Sequence, residues 1–247
     1  HVFEQSESLR CQDFTDFHAA VTAYLSTLKG VTAGDVKHAA VAIANPVAGD
    51  QVRMTNYHWQ FSIEEMRERL HLDNLVVVND FTALAMAVPS LTPQQRRQFG
   101  GGAAVPRSMV GLIGAGTGLG VSGLIPADDG WIALGTEGGH TSFSPHDERE
   151  VAILQYAWRT YSHVSFERLL SGHGIELIFS ALTDRAGQPQ RTLDAPEITR
   201  LALEGSDAIC KETIDVFCAI LGTAAANLAV SQGAFGGIYI GGGIVPR

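Results

Sequence analysis

Apolar positions near helical spacing mark the first strong element of the chain. In FTDFHAAVTAYLSTLKG, Phe14, Phe17, Val21, Tyr24, Leu25 and Leu28 gather on one side of a helix that stops at Gly30. The pattern then shortens. HAAVAIANPVAG reads as a strand into a turn, VRMTNYHWQFS as a short extended piece, and SIEEMRERL as a helix with Ser62 as N-cap and Glu65 at the capping-box position. LVVV, ahead of Asn79 and Asp80, is the next strand. These apolar runs are short and β-branched, as strands covered on both faces are, and their alternation with helical patterns is that of a mixed α/β fold.

From Ser90 to Pro106 the composition shifts to Pro, Gln, Arg and Gly, a loop or crossover between domains. RSMVGLIGAGTGLGVSGLIP follows as two strands about a glycine turn. The chain from Glu148 into the 220s is mostly helical in pattern, with a polar loop near DRAGQPQRTLDAPE. GAFGGIYIGGGIV is a strand feeding a second glycine turn, expected to open a helix. No internal repeat is evident.

Composition narrows the classes of partner. A chain of 247 residues with 45% hydrophobic content has ample material for a packed core in one large or two modest domains. The net charge of −9 and the absence of a basic run argue against nucleic acid and acidic membranes as partners, so an anionic ligand must be held by dipoles, a metal ion or a few placed cations. No apolar run reaches the ~20 residues that span a bilayer, and HVFEQSESLR lacks the pattern of a signal peptide. Cys11, Cys210 and Cys218 are odd in number and widely spaced, which fits reduced thiols in a cytosol and offers no zinc site.

GAGTGLG, Gly114 to Gly120, is the loudest motif. Its glycines leave backbone N–H groups uncovered, as a loop that approaches a phosphate needs. The spacing fails the dinucleotide fingerprint, because Leu119 or Val121 stands at the last glycine position, and no Gly-Lys-Ser/Thr follows as a Walker loop requires. A tight hairpin with no ligand is the alternative. IGGGIV, Ile240 to Val245, also follows an apolar strand, and two such turns suit a nucleotide held between them.

GTEGGHTSF places Glu137 and His140 among glycines, either as a polar turn or as a carboxylate and an imidazole that bind a polyol. One His and one Glu make a poor metal site. Glu167 in FERLLSGHG stands at a helix start, where a solvated acid is favoured by the helix dipole. Thr55 and Asn56 in MTNYHW are polar between apolar neighbours. Asp80 ends a strand where α/β folds place ligands; it reads equally as a helix N-cap or as a base that takes a hydroxyl proton during attack on phosphorus.

Taken together, AIANPVAGDQVRMTNYHWQFS, VVNDFTALAMAVP, QFGGG, GLIGAGTGLGV, TEGGHTSFSP, VSFERLLSGHGI and GAFGGIYIGGGIVPR resemble the bacterial glucokinases of the hexokinase and actin-like ATPase clan, in the same order and over essentially the whole chain. The resemblance implies a two-lobed, ribonuclease-H-like α/β fold with a sugar cleft between a small lobe, residues 1–95, and a large lobe, 96–247. It implies ATP-dependent phosphorylation of glucose at the 6-hydroxyl, with Asp80 as general base and Asn79, Glu137, His140 and Glu167 on the other sugar hydroxyls; Thr55 and Asn56 are counted with this set. Gly114, Ala115, Gly116, Thr117, Gly118 and Gly120 would contact ATP phosphates, and Gly241, Gly242 and Gly243 would lie near the adenosine. Mg²⁺, a homodimer and a cytoplasmic location come with the resemblance, as does no protein-held metal among the residues named.

TSFSP follows His140 where the related repressor and sugar-kinase group carries a cysteine-rich zinc motif, which places the chain on the glucokinase branch. The family opens with a strand and an Asp-x-Gly-Gly-Thr turn that helps to organise Mg²⁺, and continues for several elements past the last glycine turn. Neither lies within these 247 residues, so the stretch alone is expected to be inactive or unstable. A kinase for another hexose or an N-acyl hexosamine, and a non-catalytic sugar sensor, are the alternative readings.

Overall fold

A computed structural model describes residues 4–54 and 57–245, so Thr55 and Asn56 lie outside the described residues. The chain divides into two compact units, one running to Leu84 and one from Ala85 onward. The expected boundary was 95/96.

In the first unit, helix α1 (Phe17–Thr27) is capped by Asp16, whose carboxylate accepts the Ala19 N–H at 2.7 Å. Strand β1 (His38–Ile43) leads to the antiparallel hairpin β2 (Gln51–Arg53) and β3 (Gln60–Ser62). Helix α2 (Ile63–Arg69) starts as its sequence predicts: Ser62 Oγ accepts the Glu65 N–H at 3.0 Å. Asp50 adds a second cap that its place in the sequence does not suggest, accepting the Glu64 N–H at 2.9 Å. Hydrogen bonds from the Ser62 hydroxyl and this N–H hold the Asp50 carboxyl below its ordinary range.

Strand β4 (Asn74–Asn79) pairs parallel with β1 in a continuous register from His38↔Asn74 to Ile43↔Asn79. Ile43, Val52 and Val77 form the core here, with Val41, Met54, Phe61 and Leu75 against it. The Phe17 ring stacks on Phe61 at 4.8 Å between centroids and so fastens α1 to β3. Helix α3 (Asp80–Ala87) follows β4 without a loop and carries the boundary between the two units.

The second unit is built on four strands, β5 (Val110–Ala115), β6 (Leu119–Ala127), β7 (Gly130–Thr136) and β8 (Ile238–Gly241), in the order β7-β6-β5-β8. The β5–β6–β7 meander is antiparallel and β8 lies parallel to β5. The two strands expected about the first glycine turn are β5 and β6. The sequence reading missed β7, because GWIALGT holds two glycines and lacks the β-branched run that marks the other strands.

Helices α4 (Glu148–Ala157), α5 (Phe166–Leu169), α6 (Gly172–Arg185), α7 (Ala195–Glu204) and α8 (Ala208–Gln232) make up the helical half, and the polar loop expected near 184–197 falls between α6 and α7. Helix α8 is long and apolar enough to cross a bilayer, contrary to the expectation of no such run. Its sequence is broken by Lys211, Glu212 and Asp215, so counting uninterrupted apolar residues overlooked it. In the fold it is a core helix: Val216, Phe217 and Ile220 are buried among Ile153, Ile178, Phe179 and Ile198.

Candidate functional site

Strand direction brings the chemistry together at one end of the second unit's sheet. Strands β5, β7 and β8 all finish at that end, and β6 begins there: Ala115 pairs with Leu119, Val121 with Thr136, and Gly114 with Gly241. The two glycine turns, far apart in sequence, are therefore neighbours across the β5–β8 pair. The first is a three-residue hairpin turn in which the Gly116 N–H donates to Gly118 O at 2.8 Å. It has the hairpin geometry that the sequence left open, with Thr117 exposed at its tip.

The second turn leans on the first. Gly242 has φ +87°, and a Cβ there would lie 2.3 Å from Ala115 O and 2.8 Å from Ala115 N, so only glycine fits. The Ile244 N–H then donates to Ala115 O at 3.3 Å. Residues 242–245 are bends and a turn in which the left-handed glycine and this return bond bring the chain back toward β5, and the helix expected after them lies outside the described residues.

Glu137 leaves the end of β7 into a single turn of 3-10 helix, Gly138–His140. Gly139 lets this turn approach β6, since a Cβ there would lie 2.2 Å from Leu119 O. His140 is held between two carboxylates, Nε2 3.7 Å from Glu137 Oε2 and Nδ1 3.6 Å from Glu167 Oε1. Glu167 rides on α5, whose buried Phe166 and Leu169 fix it in the core while Ser165 Oγ caps it by accepting the Arg168 N–H at 3.3 Å. Glu167 is the least exposed of the three side chains, 33% against about 60% for the other two. The trio thus presents carboxylate acceptors around an imidazole, the donor and acceptor set that a polyol needs.

A polar hollow continues from His140 and Glu167 along Ser165, Arg168, Tyr161 and His163. These are residues that the sequence reading did not single out. The Arg168 guanidinium lies over the Tyr161 ring at 4.4 Å and His163 Nε2 is 3.1 Å from Ser142 Oγ. Ser165, Arg168, Tyr161 and His163 all lie within residues 161–168, ahead of and within α5, where no motif spacing marks a site.

In the first unit, Asn79 and Asp80 stand at the end of β4. Asn79 Oδ1 accepts the N–H groups of Phe81 at 2.9 Å and Thr82 at 3.2 Å, and Asn79 Nδ2 donates to Asn45 O at 3.3 Å. Asn79 is therefore the residue that caps α3. Among the described residues, the exposed Asp80 carboxylate accepts its neighbour's N–H, from Phe81 at 2.8 Å. Among the described residues no three His, Cys, Asp or Glu side chains gather as a metal cage.

Comparison with known proteins finds relatives over nearly the whole chain. The bifunctional protein glk of Paraburkholderia xenovorans is 57% identical over 96% of this chain, which spans 37% of that protein's length. A glucokinase of Neisseria meningitidis serogroup C is 50% identical, with 100% of this chain and 74% of that protein covered. Among solved structures, a glucokinase from an Antarctic psychrotroph superposes with TM-score 0.83 at 36% identity, covering 95% of this chain and 72% of its own. A glucokinase from Balamuthia mandrillaris, solved with glucose, matches at TM-score 0.71 and 20% identity over 92% of this chain and 68% of its own, a likeness of fold alone. The fold is the actin-like ATPase fold of glucokinases and ROK-family sugar kinases. A family model described as Glucokinase matches residues 1–247, and the chain belongs to the glucokinase family.

Proposed function

We propose that the protein containing this chain transfers the γ-phosphoryl group of ATP to the 6-hydroxyl of D-glucose. The observation that carries the reading is the trio of Glu137, His140 and Glu167 gathered at the strand ends beside two adjoining glycine turns, within a chain of the glucokinase family. Glu137, His140, Glu167 and Asn79 hold the sugar hydroxyls; Thr55 and Asn56 belong to the same set. Asp80 takes the proton of the 6-hydroxyl as that oxygen attacks the γ-phosphorus, the bond to the bridging oxygen breaks, and ADP leaves. Phosphoryl transfer of this kind gains most from positioning and charge neutralisation, which is why a single exposed carboxylate suffices as base.

Gly114, Ala115, Gly116, Thr117, Gly118 and Gly120 face the phosphates in this reading, and Gly241, Gly242 and Gly243 the adenosine. Mg²⁺ would neutralise the phosphates. The described residues form no cage for it, so no step is assigned to a metal ligand of this chain. The protein acts in the cytoplasm as a homodimer.

The test is release of ADP by the intact protein with and without glucose, followed by thermal shifts across a panel of hexoses and N-acyl hexosamines. ADP release that depends on glucose, with glucose giving the largest shift, is the expected result. Equal release without sugar, or a response to another hexose alone, would overturn it.

A further inference from the structure

The carboxylate of Glu167 has two engagements. Oε1 faces His140 Nδ1 at 3.6 Å in the sugar trio, while Oε2 accepts the N–H of Leu119, the residue directly after the glycine turn, at 3.0 Å. Leu119 is buried, so its N–H depends on that oxygen. A second tie runs nearby, from the Gly172 N–H at the start of α6 to Gly116 O at 3.0 Å. The α5–α6 segment thus grips the turn at both of its sides, once through a side chain.

Gly118 lies against this carboxylate. A Cβ there would be 2.5 Å from Glu167 Oε2 and 3.2 Å from its Cδ, and its three nearest neighbours would all be atoms of the Glu167 side chain. The φ of Gly118 is outside the left-handed region, so alanine carries no backbone strain. The added methyl would leave the turn in place and push the carboxylate off both the Leu119 N–H and its position beside His140.

We propose that Glu167 is a positioning link between the sugar trio and the glycine turn, and that Gly118, a residue of the turn that faces the nucleotide, sets glucose affinity by leaving room for the Glu167 carboxylate. This rests on the reading that Glu167 contacts glucose. Glucose binding fixes the carboxylate, the carboxylate fixes Leu119, and the turn is ordered before the nucleotide arrives.

The experiment measures glucose binding by calorimetry without nucleotide, in the intact protein and in Gly118→Ala, Gly222→Ala, Glu167→Gln and the Gly118→Ala/Glu167→Gln pair. Amide hydrogen exchange of Leu119 is followed in the same set. Gly118→Ala is expected to weaken glucose binding at least tenfold with little change in Tm and to speed exchange at Leu119. Gly222→Ala in α8, whose methyl would meet open space, should leave glucose binding within about twofold. The pair should bind no more weakly than Glu167→Gln alone, because the methyl acts through that carboxylate. Glucose affinity and Leu119 exchange both unchanged in Gly118→Ala would overturn the link, as would additive losses in the pair. Faster Leu119 exchange in Gly118→Ala together with no glucose binding by the unsubstituted protein would keep the tie to the turn and reject the sugar reading.

Discussion

Asn79 Oδ1 receives the N–H groups of Phe81 and Thr82 and so caps α3, while the Asp80 carboxylate shares only the first of these, the Phe81 N–H at 2.8 Å. This separates two roles that the sequence alone allowed for Asp80. The cap belongs to the residue before it, and the same Asn79 side chain is tied to Asn45 O, across the end of the β1–β4 pair.

Asn79→Ala is therefore a stability variant as well as a binding variant. Loss of an N-cap costs about 0.5–2 kcal/mol, which corresponds to several degrees of Tm at most. Asn79→Asp, which keeps an acceptor oxygen, should recover most of that loss. Equal melting temperatures for Asn79→Ala and the unsubstituted protein would show that the two N–H bonds contribute nothing.

Gly242→Ala should damage the second glycine turn. It places a side chain at φ +87° and within 2.3 Å of the Ala115 carbonyl, so β5 or the turn must move. A cost of about 1–3 kcal/mol is expected from the backbone conformation alone. Calorimetric titration with an ATP analogue should show at least tenfold weaker binding; unchanged nucleotide affinity with unchanged Tm would contradict the packing of this turn on β5.

Acid sensitivity is expected at the start of α8. Asp207 accepts the N–H groups of Ile209 at 2.9 Å and Cys210 at 3.0 Å and pairs with Arg191 Nη1 at 2.6 Å. The Arg191 hydrogen bond, then the Cys210 N–H, hold its carboxyl down at about 2 against an ordinary 3.8. Because the folded pKa is depressed, the stabilisation is fully present above about pH 4 and is lost as pH falls toward 2. With allowance for screening at the exposed Arg191, it is on the order of 1–2 kcal/mol. Asp207→Asn should lower Tm at pH 7, and the gap should shrink as pH falls below 4. A gap that stays constant with pH would contradict the assignment.

Thiol reactivity should divide by burial. Cys210 is fully buried, and burial first, then the neighbouring Asp207, pushes its thiol up to about 11. Iodoacetamide at neutral pH should leave Cys210 unlabelled until the protein is unfolded, while the exposed Cys11 is labelled in the native state. Native labelling of Cys210 would show that the start of α8 opens readily.

Local features of this fold were legible in the sequence and long-range ones were not. Ser62 announced the start of α2, and the glycine runs announced the ends of β5 and β8, because caps and turns depend on neighbours a few residues away. The sequence leaves Asp80 open as a helix cap; that Asn79 accepts two N–H groups at the start of α3 depends on the direction of its side chain, which residue type does not fix. The pairing Gly114↔Gly241 and the bond from Leu119 N–H to Glu167 join residues distant in sequence, and no periodicity encodes them. Strand β7 was missed for want of β-branched residues, although it delivers Glu137 to the site.

The central claim is that Asp80 serves as the base for the 6-hydroxyl of glucose. The most direct test is glucose-dependent ATP consumption by Asp80→Asn in the intact protein, with glucose affinity measured alongside. The account predicts that kcat is nearly abolished, glucose binding stays within about tenfold, or roughly 1.4 kcal/mol, and Tm is little changed because Asn79 keeps the cap. A normal kcat in Asp80→Asn would contradict it.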